Sequence, residues 1–464
     1  MPPTPLLHRR LRPSLRVAAA ALSLLATCAH AAAPCSGTGQ MPATALAPPS
    51  LLGAADFQAG PCLTLVGQMA RFTLVGRGDF APELAELTAD SLDLLELRVH
   101  EMEAIRTLRA IGRPGAAAAG AAQSLRQTGA ALGGVVARPV ESVVGLPAGM
   151  LRVFGRRAGR AGQQAAAAGN RAMEAFDDEA APTATLRPGV PDEPASEPEP
   201  WWQRGGGMAM SLGKRWLGYS QARRTLGQRL GIDPYTQNPW LDAEMDRLAW
   251  AELAGRGGVG LSLGQIGGVA GIGLSQGTRI HRMVWAQAPD DVTRWNAARL
   301  SPVACSEAAQ DAFLGNGRFS PTLQTQAVDA LLALVPQQGC DRLLDAAAQV
   351  QREVEVRYVV DTLQLLVAAR PRFPVRFEGI GDALVLRDGN ERLWLSLPVD
   401  LLQWTPAVAR FFDAPGFAEV ADRQVLLGRR ASPKARAALL ARGWSVVEDA
   451  LGPAREAQPL VERD

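Results

Sequence analysis

The sequence predicts a mixed α+β protein: a small α+β unit near the N-terminus, an Ala/Gly/Arg-rich helical region, then a helical subdomain followed by a small α/β layer at the C-terminus. Three patterns carry this reading. Short apolar alternations such as Leu63-Thr64-Leu65-Val66 and Leu393-Trp394-Leu395-Ser396-Leu397 suit strands. Apolar residues at helical spacing, among them Val356, Val359, Val360, Leu363, Leu366 and Val367, suit helices. A strand, helix, strand succession at residues 424–447 suits a parallel βαβ unit.

Residues 1–33 read as a secretory signal peptide. His8, Arg9, Arg10, Arg12 and Arg16 are cationic, residues 17–26 form a short apolar run, and Ala29-His30-Ala31 and Ala31-Ala32-Ala33 offer small-x-small cleavage sites. The run is too short for a spanning helix. The expected location is therefore outside the cytosol, periplasmic or extracellular, with membrane association as a further expectation. Leu25-Ala26-Thr27-Cys28 approximates a lipobox, although Thr27 stands where a smaller residue is usual, so lipidation at Cys28 is an alternative.

The chain has 464 residues, enough for two or three domains, and 47% hydrophobic residues is ordinary for globular protein. Its formal net charge is +2, and loss of the leader arginines makes the remainder mildly acidic. No global charge argument for nucleic acid survives, and no nucleic-acid partner is expected. With the leader removed, Cys35, Cys62, Cys305 and Cys340 remain. An even count in an oxidising compartment favours two disulfides, and the short loops Cys35–Cys62 and Cys305–Cys340 are preferred among three connectivities. No C-x-x-C spacing or nearby histidine supports a zinc site, so no metal is expected.

Residues 34–114 form the expected small α+β unit. A hairpin is read at residues 63–66 and 71–75, and helical spacing is read from Leu84 through Leu87, Leu94, Leu95, Val99, Met102, Ile105 and Leu108. Residues 115–176 form a basic amphipathic region. Arg126, Arg138, Arg152, Arg156, Arg157, Arg160 and Arg171 stand against Glu141, with Val153 and Phe154 among the apolar residues. Such a region suits an anionic membrane surface, or it packs its alanine-rich stripe on a neighbouring domain. Residues 177–200, rich in Pro, Ala, Asp and Glu, hold too few large apolar groups to offset ordering entropy and read as a disordered linker.

Residues 201–300 are read as a helical pair plus a glycine-rich segment. Tyr219, Ala222, Leu226 and Leu230 share a helix face that stops at Gly231. Asn238-Pro239 starts the second helix, the asparagine capping and the proline occupying a position that needs no N–H. Leu241, Met245, Leu248 and Ala249 line its buried face, while Asp242 and Asp246 are expected to face solvent. Tyr219-Ser220-Gln221-Ala222-Arg223-Arg224, Leu230-Gly231-Ile232-Asp233-Pro234-Tyr235-Thr236 and Asp246-Arg247-Leu248-Ala249-Trp250 resemble segments of uncharacterised exported proteins of Gram-negative bacteria. The resemblance extends loosely toward Gly443-Trp444. It implies compartment and domain integrity and transfers no catalytic residue.

Residues 257–278 carry no charge. They read as a packed hairpin or ordered loop, with a membrane-inserting segment as the alternative. The same stretch spells Gly260-Leu261-Ser262-Leu263-Gly264 and Gly273-Leu274-Ser275-Gln276-Gly277, making Ser262 and Ser275 weak nucleophile candidates. A nucleophile elbow needs a histidine base later in the chain, after the acid. His281 follows too closely, and His100 precedes both serines. No phosphate loop, dinucleotide fingerprint or calcium loop appears, and no cofactor is expected. Trp201, Trp202 and Trp216, beside Arg204, Lys214 and Arg215, suit a membrane interface or a glycan platform.

Residues 301–464 form the helical and α/β C-terminal domain. Ser320-Pro321 starts a helix, residues 341–369 read as one long helix, and strands are expected at 375–377, 383–386, 392–397, 424–428 and 444–447. The functional expectation is an exported envelope protein acting by non-catalytic interaction with an anionic membrane surface or another envelope component. Arg152, Phe154, Arg156, Arg157, Trp201, Trp202 and Trp216 are its contact candidates. A serine hydrolase and a glycan-binding module are the alternatives.

Overall fold

The computed structural model describes Cys35 and residues 39–80, 86–111, 210–255, 282–381 and 383–450. The chain enters through strand β1 (Gln40–Pro42) and the short helix α1 (Pro49–Leu52), followed by β2 (Phe57–Ala59), β3 (Cys62–Val66), β4 (Met69–Gly76) and β5 (Leu87–Ala89). These strands form an antiparallel sheet of order β1-β3-β4-β2, with β5 also on β4. The β3–β4 hairpin is the expected one, and Gly67 and Gln68 make its turn with positive φ at both positions. The helical reading from Leu84 begins too early: Leu87 lies in β5, and α2 (Leu92–Ile111) starts after Ser91, whose Oγ accepts the Leu94 N–H.

Two long helices follow, α3 (Met210–Leu230) and α4 (Pro239–Gly255), then α5 (Arg282–Ala286). Leu226, Leu230, Leu241, Met245, Leu248 and Ala249 are all buried, as their spacing requires. Asn238 Oδ1 accepts the Trp240 N–H and starts α4. Side chains of β1–β5, α2, α3, α4 and α5 share one core, which we call the N-terminal lobe. The expected units 34–114 and 201–300 therefore contribute to a single core, with residues 112–209 falling between its two chain segments.

The C-terminal lobe continues with α6 (Pro289–Leu300), α7 (Glu307–Leu314), α8 (Pro321–Leu334), β6 (Pro336–Gln338), α9 (Cys340–Ala347) and α10 (Glu353–Ala369). Then come β7 (Val375–Ile380), β8 (Ala383–Arg387), β9 (Leu393–Leu397), β10 (Leu401–Leu402), α11 (Pro406–Phe412), α12 (Pro415–Ala418), β11 (Arg423–Leu427), β12 (Arg430–Ala431), α13 (Pro433–Ala441) and β13 (Trp444–Val447). The main sheet has the order β13-β11-β9-β8-β7-β6. β9, β11 and β13 are parallel, as expected for the terminal βαβ unit, and β8 runs against both neighbours. Every residue of β9 is buried, the signature of a strand covered on both faces.

The long helix expected over 341–369 is two helices. Asn316 Nδ2 donates to the carbonyls of Ala347 and Val350, satisfying the end of α9. Glu355 Oε2 accepts the N–H groups of Gln351 and Arg352, starting α10 afresh. Gly339 before α9 has a φ of 77°, and a Cβ there would lie 1.9 Å from the Phe377 carbonyl oxygen, so the β6-to-α9 turn admits only glycine.

Both expected disulfides are formed. Cys35 pairs with Cys62, and Cys305 with Cys340, with Cα separations of 5.8 and 5.4 Å. Among the described residues, no helix is long and apolar enough to cross a membrane.

Candidate functional site

The contact candidates Arg152, Phe154, Arg156, Arg157, Trp201 and Trp202, and the serines Ser262 and Ser275 with His281, lie outside the described residues. Trp216 falls in α3, where only the backbone is described. The described residues instead place the chain's distinctive chemistry where its two lobes meet. That chemistry is a set of enclosed carboxylates and arginines.

Asp400 follows β9 at the carboxyl end of the parallel strands, where open α/β sheets commonly hold ligands. Here the N-terminal lobe occupies the position. Asp400 is only 2% exposed, and its Oδ2 accepts the N–H of Ala70 on β4 at 3.1 Å and of Leu92, the first residue of α2, at 2.7 Å. The carboxylate thus caps a helix of the other lobe. Burial, reinforced by the neighbouring charge of Asp93, pushes its carboxyl up to about 7. Arg429 ties the same seam by pairing with Asp93 and Glu96 at the start of α2. The β3–β4 turn adds neutral bonds: Gln68 O accepts the Leu401 N–H, Gln68 Oε1 accepts the Gln403 N–H, and Gln68 Nε2 donates to Gln403 O.

A second seam lies between α2, the α3–α4 loop, α8 and α10. Arg98 bridges Glu101 and Glu353, and Arg357 also holds Glu353. Although burial acts in the opposite direction, Arg98 and Arg357 keep the Glu353 carboxyl below the usual carboxylate range. Glu101 accepts from the Thr236 hydroxyl at 2.6 Å and the Asn238 amide at 2.9 Å, locking the loop onto α2. Asp233 Oδ1 accepts the Tyr235 N–H and the Thr322 hydroxyl of α8, and burial pushes its carboxyl up to about 6.

Asp400, Asp233 and Glu353 have perturbed proton affinities, and such shifts often mark catalytic sites. Their geometry assigns another role. The described partners of Asp400, Asp233, Glu101 and Glu353 are backbone N–H groups, hydroxyls, amides and guanidiniums that join one lobe or element to another. Burial pushes the His100 imidazole down against the pull of Glu101, and the Glu101 carboxylate is already held by Arg98, Thr236 and Asn238. Among the described residues, no cluster of His, Cys, Asp and Glu could hold a metal ion.

Most of the described tryptophan side chains are committed to the fold. Trp240, Trp394 and Trp444 are buried, Trp285 Nε1 donates to Ile232 O, and Trp404 lies between the Arg442 guanidinium and the Phe412 ring. Trp250 is the described tryptophan with a large exposed surface, 47%, and its ring leans on Tyr219 with centroids 4.8 Å apart. Asp242 and Asp246, expected to face solvent, are about a third exposed and grip the fully buried Arg223 of α3, pinning α3 to α4.

The same contacts orient the helices. Glu101 meets Asn238, Arg109 meets Glu244, and Leu108 O accepts from Arg247, so α2 and α4 run in the same direction. Tyr219 meets Trp250 while Arg223 meets Asp242, so α3 runs against α4. Ile111 at the end of α2, Met210 at the start of α3 and Gly255 at the end of α4 therefore lie at one pole of the helical layer.

Fold and seam together define a two-lobed, disulfide-pinned, mixed α+β protein whose enclosed ionisable groups join elements distant in sequence. Comparison with protein-family models, with curated proteins and with solved structures finds no match for this chain.

Proposed function

We propose that this chain is an exported, non-catalytic envelope protein that presents residues 112–209 and 256–281 from one pole of a rigid body to an anionic membrane surface. The observation that carries this reading is the common pole of Ile111, Met210 and Gly255. Residues 112–209 leave and re-enter the helical layer there, whereas residues 256–281 leave it there and re-enter at α5, whose Trp285 contacts Arg224 and Ile232 toward the other end of α3. Arginines such as Arg152, Arg156 and Arg157 would meet lipid phosphates while Phe154 and its neighbours enter the acyl boundary. The two disulfides fit an oxidising compartment.

Co-sedimentation with vesicles tests this reading. The chain without its leader is expected to bind vesicles containing anionic lipid, weakly at high salt, and deletion of residues 115–176 is expected to abolish most of that binding. Equal binding by both proteins, or none by either, overturns the membrane reading. Labelling of Ser262 or Ser275 by a fluorophosphonate probe, lost on Ser→Ala, would replace it with a hydrolase.

A further inference from the structure

We propose that Asp400 is a proton-operated latch between the two lobes, tightest when its carboxyl is protonated and loosened as it ionises. The inference goes beyond the proposed membrane contact and does not depend on it. Its basis is the seam's geometry. Asp400 is enclosed where β4, α2, the β9–β10 connection and the residues after β11 converge, and both donors to its Oδ2 come from the other lobe. The charges acting on it are Asp93 from α2 and Arg429 from the β11–β12 connection, and Glu96 of α2 reaches the same Arg429 guanidinium. Arg429 is already engaged by Asp93 and Glu96, so an ionised Asp400 adds an anion beside a guanidinium that is already paired. Arg71 of β4 is paired with Asp90, and Arg430 of β12 with Asp449, so neither pair brings net charge to the joint.

The two backbone N–H donors favour the ionised form, but burial and Asp93 outweigh them and the carboxyl is pushed up to about 7. A neutral carboxyl still offers its carbonyl oxygen to both N–H groups, so protonation keeps the joint's hydrogen bonds. When the lobes part, water reaches Asp400 and its carboxyl returns to the ordinary aspartate range. The closed joint therefore binds the proton more tightly than the open one. Its contribution is fully present below the ordinary aspartate range, declines as the pH rises, and is gone above about 7.

Amide hydrogen exchange on the full chain, corrected for the intrinsic pH dependence of exchange, reads this directly at Ala70, Leu92, Leu401 and Gln403, whose N–H groups cross the seam. Protection there is expected to fall about tenfold between pH 6 and pH 8. In Asp400→Asn, whose amide oxygen can accept the same two N–H groups, that fall is expected to vanish, leaving only the lower-pH change due to Asp233. In Asp93→Asn the fall is expected to move to lower pH. Unchanged protection across this range in the unsubstituted protein overturns the latch, as does the same fall in Asp400→Asn. An unmoved midpoint in Asp93→Asn overturns it even if Asp400→Asn does not fold.

Discussion

The C-terminal lobe is one continuous run of chain, whereas the N-terminal lobe is assembled from two runs with residues 112–209 between them. The difference shows in what each lobe buries. The C-terminal core mixes aliphatic side chains with aromatic ones such as Phe412, Phe417 and Trp444, and its buried polar groups include Asn296, bonded to Gln324 and Thr325, and Asp388, which accepts the Trp394 indole N–H. The arginine residues buried among the described positions, Arg98 and Arg223, both lie in the N-terminal lobe. Arg223 joins α3 to α4, and Arg98 joins α2 to α10 of the other lobe. Apolar packing is non-directional. Where pieces far apart in sequence must meet in one register, enclosed ion pairs with defined geometry penalise the wrong arrangements.

The largest expected effect breaks that comparison at Arg98. Arg98→Met leaves Glu101 and Glu353, at 6% and 12% side-chain exposure, without their shared guanidinium. The expected loss is about 3–5 kcal/mol in equilibrium urea unfolding. Adding Glu101→Gln and Glu353→Gln to Arg98→Met should recover much of it, because the penalty comes from enclosed carboxylates that lose a cation, even though Arg357 still holds Glu353. A loss below about 1 kcal/mol for the single change would mean that these charges are as dispensable as surface ones.

The C-terminal lobe supplies the next effect. Cys305–Cys340 closes a loop of 35 residues, and Cys340 is fully buried. Replacing both cysteines by serine is expected to cost about 3–4 kcal/mol through restored freedom of the unfolded chain. If the lobes unfold as separate units, this change should lower the transition of the C-terminal lobe alone and leave that of the N-terminal lobe in place. A single transition shifting as a whole would show that the seams make them one cooperative unit.

The two regions also differ in how far their sequence reveals them. Ser320-Pro321, Ser432-Pro433 and the alternation of residues 393–397 announce α8, α13 and β9 because the signals are local: a hydroxyl cap, a proline needing no donor, a period of two. Both disulfides were likewise legible from loop length and an even count. The break between α9 and α10 was not, because it depends on Asn316, far away in sequence, taking the carbonyls of Ala347 and Val350. The seam was invisible for the same reason. Asp400, Glu353 and Arg429 look like ordinary surface charges until the fold sets them against Leu92, Arg98 and Asp93, and Asp242 and Asp246 looked solvent-facing until Arg223 arrived between them. Long-range partners leave no period to read.

The smallest effect is expected where charges are most conspicuous. On β7, β8 and the β8–β9 turn, Arg376 makes two hydrogen bonds to Glu391 and one to Glu378, and Arg387 also reaches Glu378. The geometry rivals that of Arg98. Glu391, however, has 65% side-chain exposure and is bathed in solvent, so water and salt screen its pairing and hydrate either partner when the other is removed. Glu391→Gln should therefore leave the urea midpoint unchanged within error, at low and at high salt. A clear loss would mean that exposed charge ladders hold the sheet as firmly as enclosed ones hold the lobes, and the contrast between joining distant pieces and decorating a continuous one would then rest on geometry alone rather than on exclusion of water.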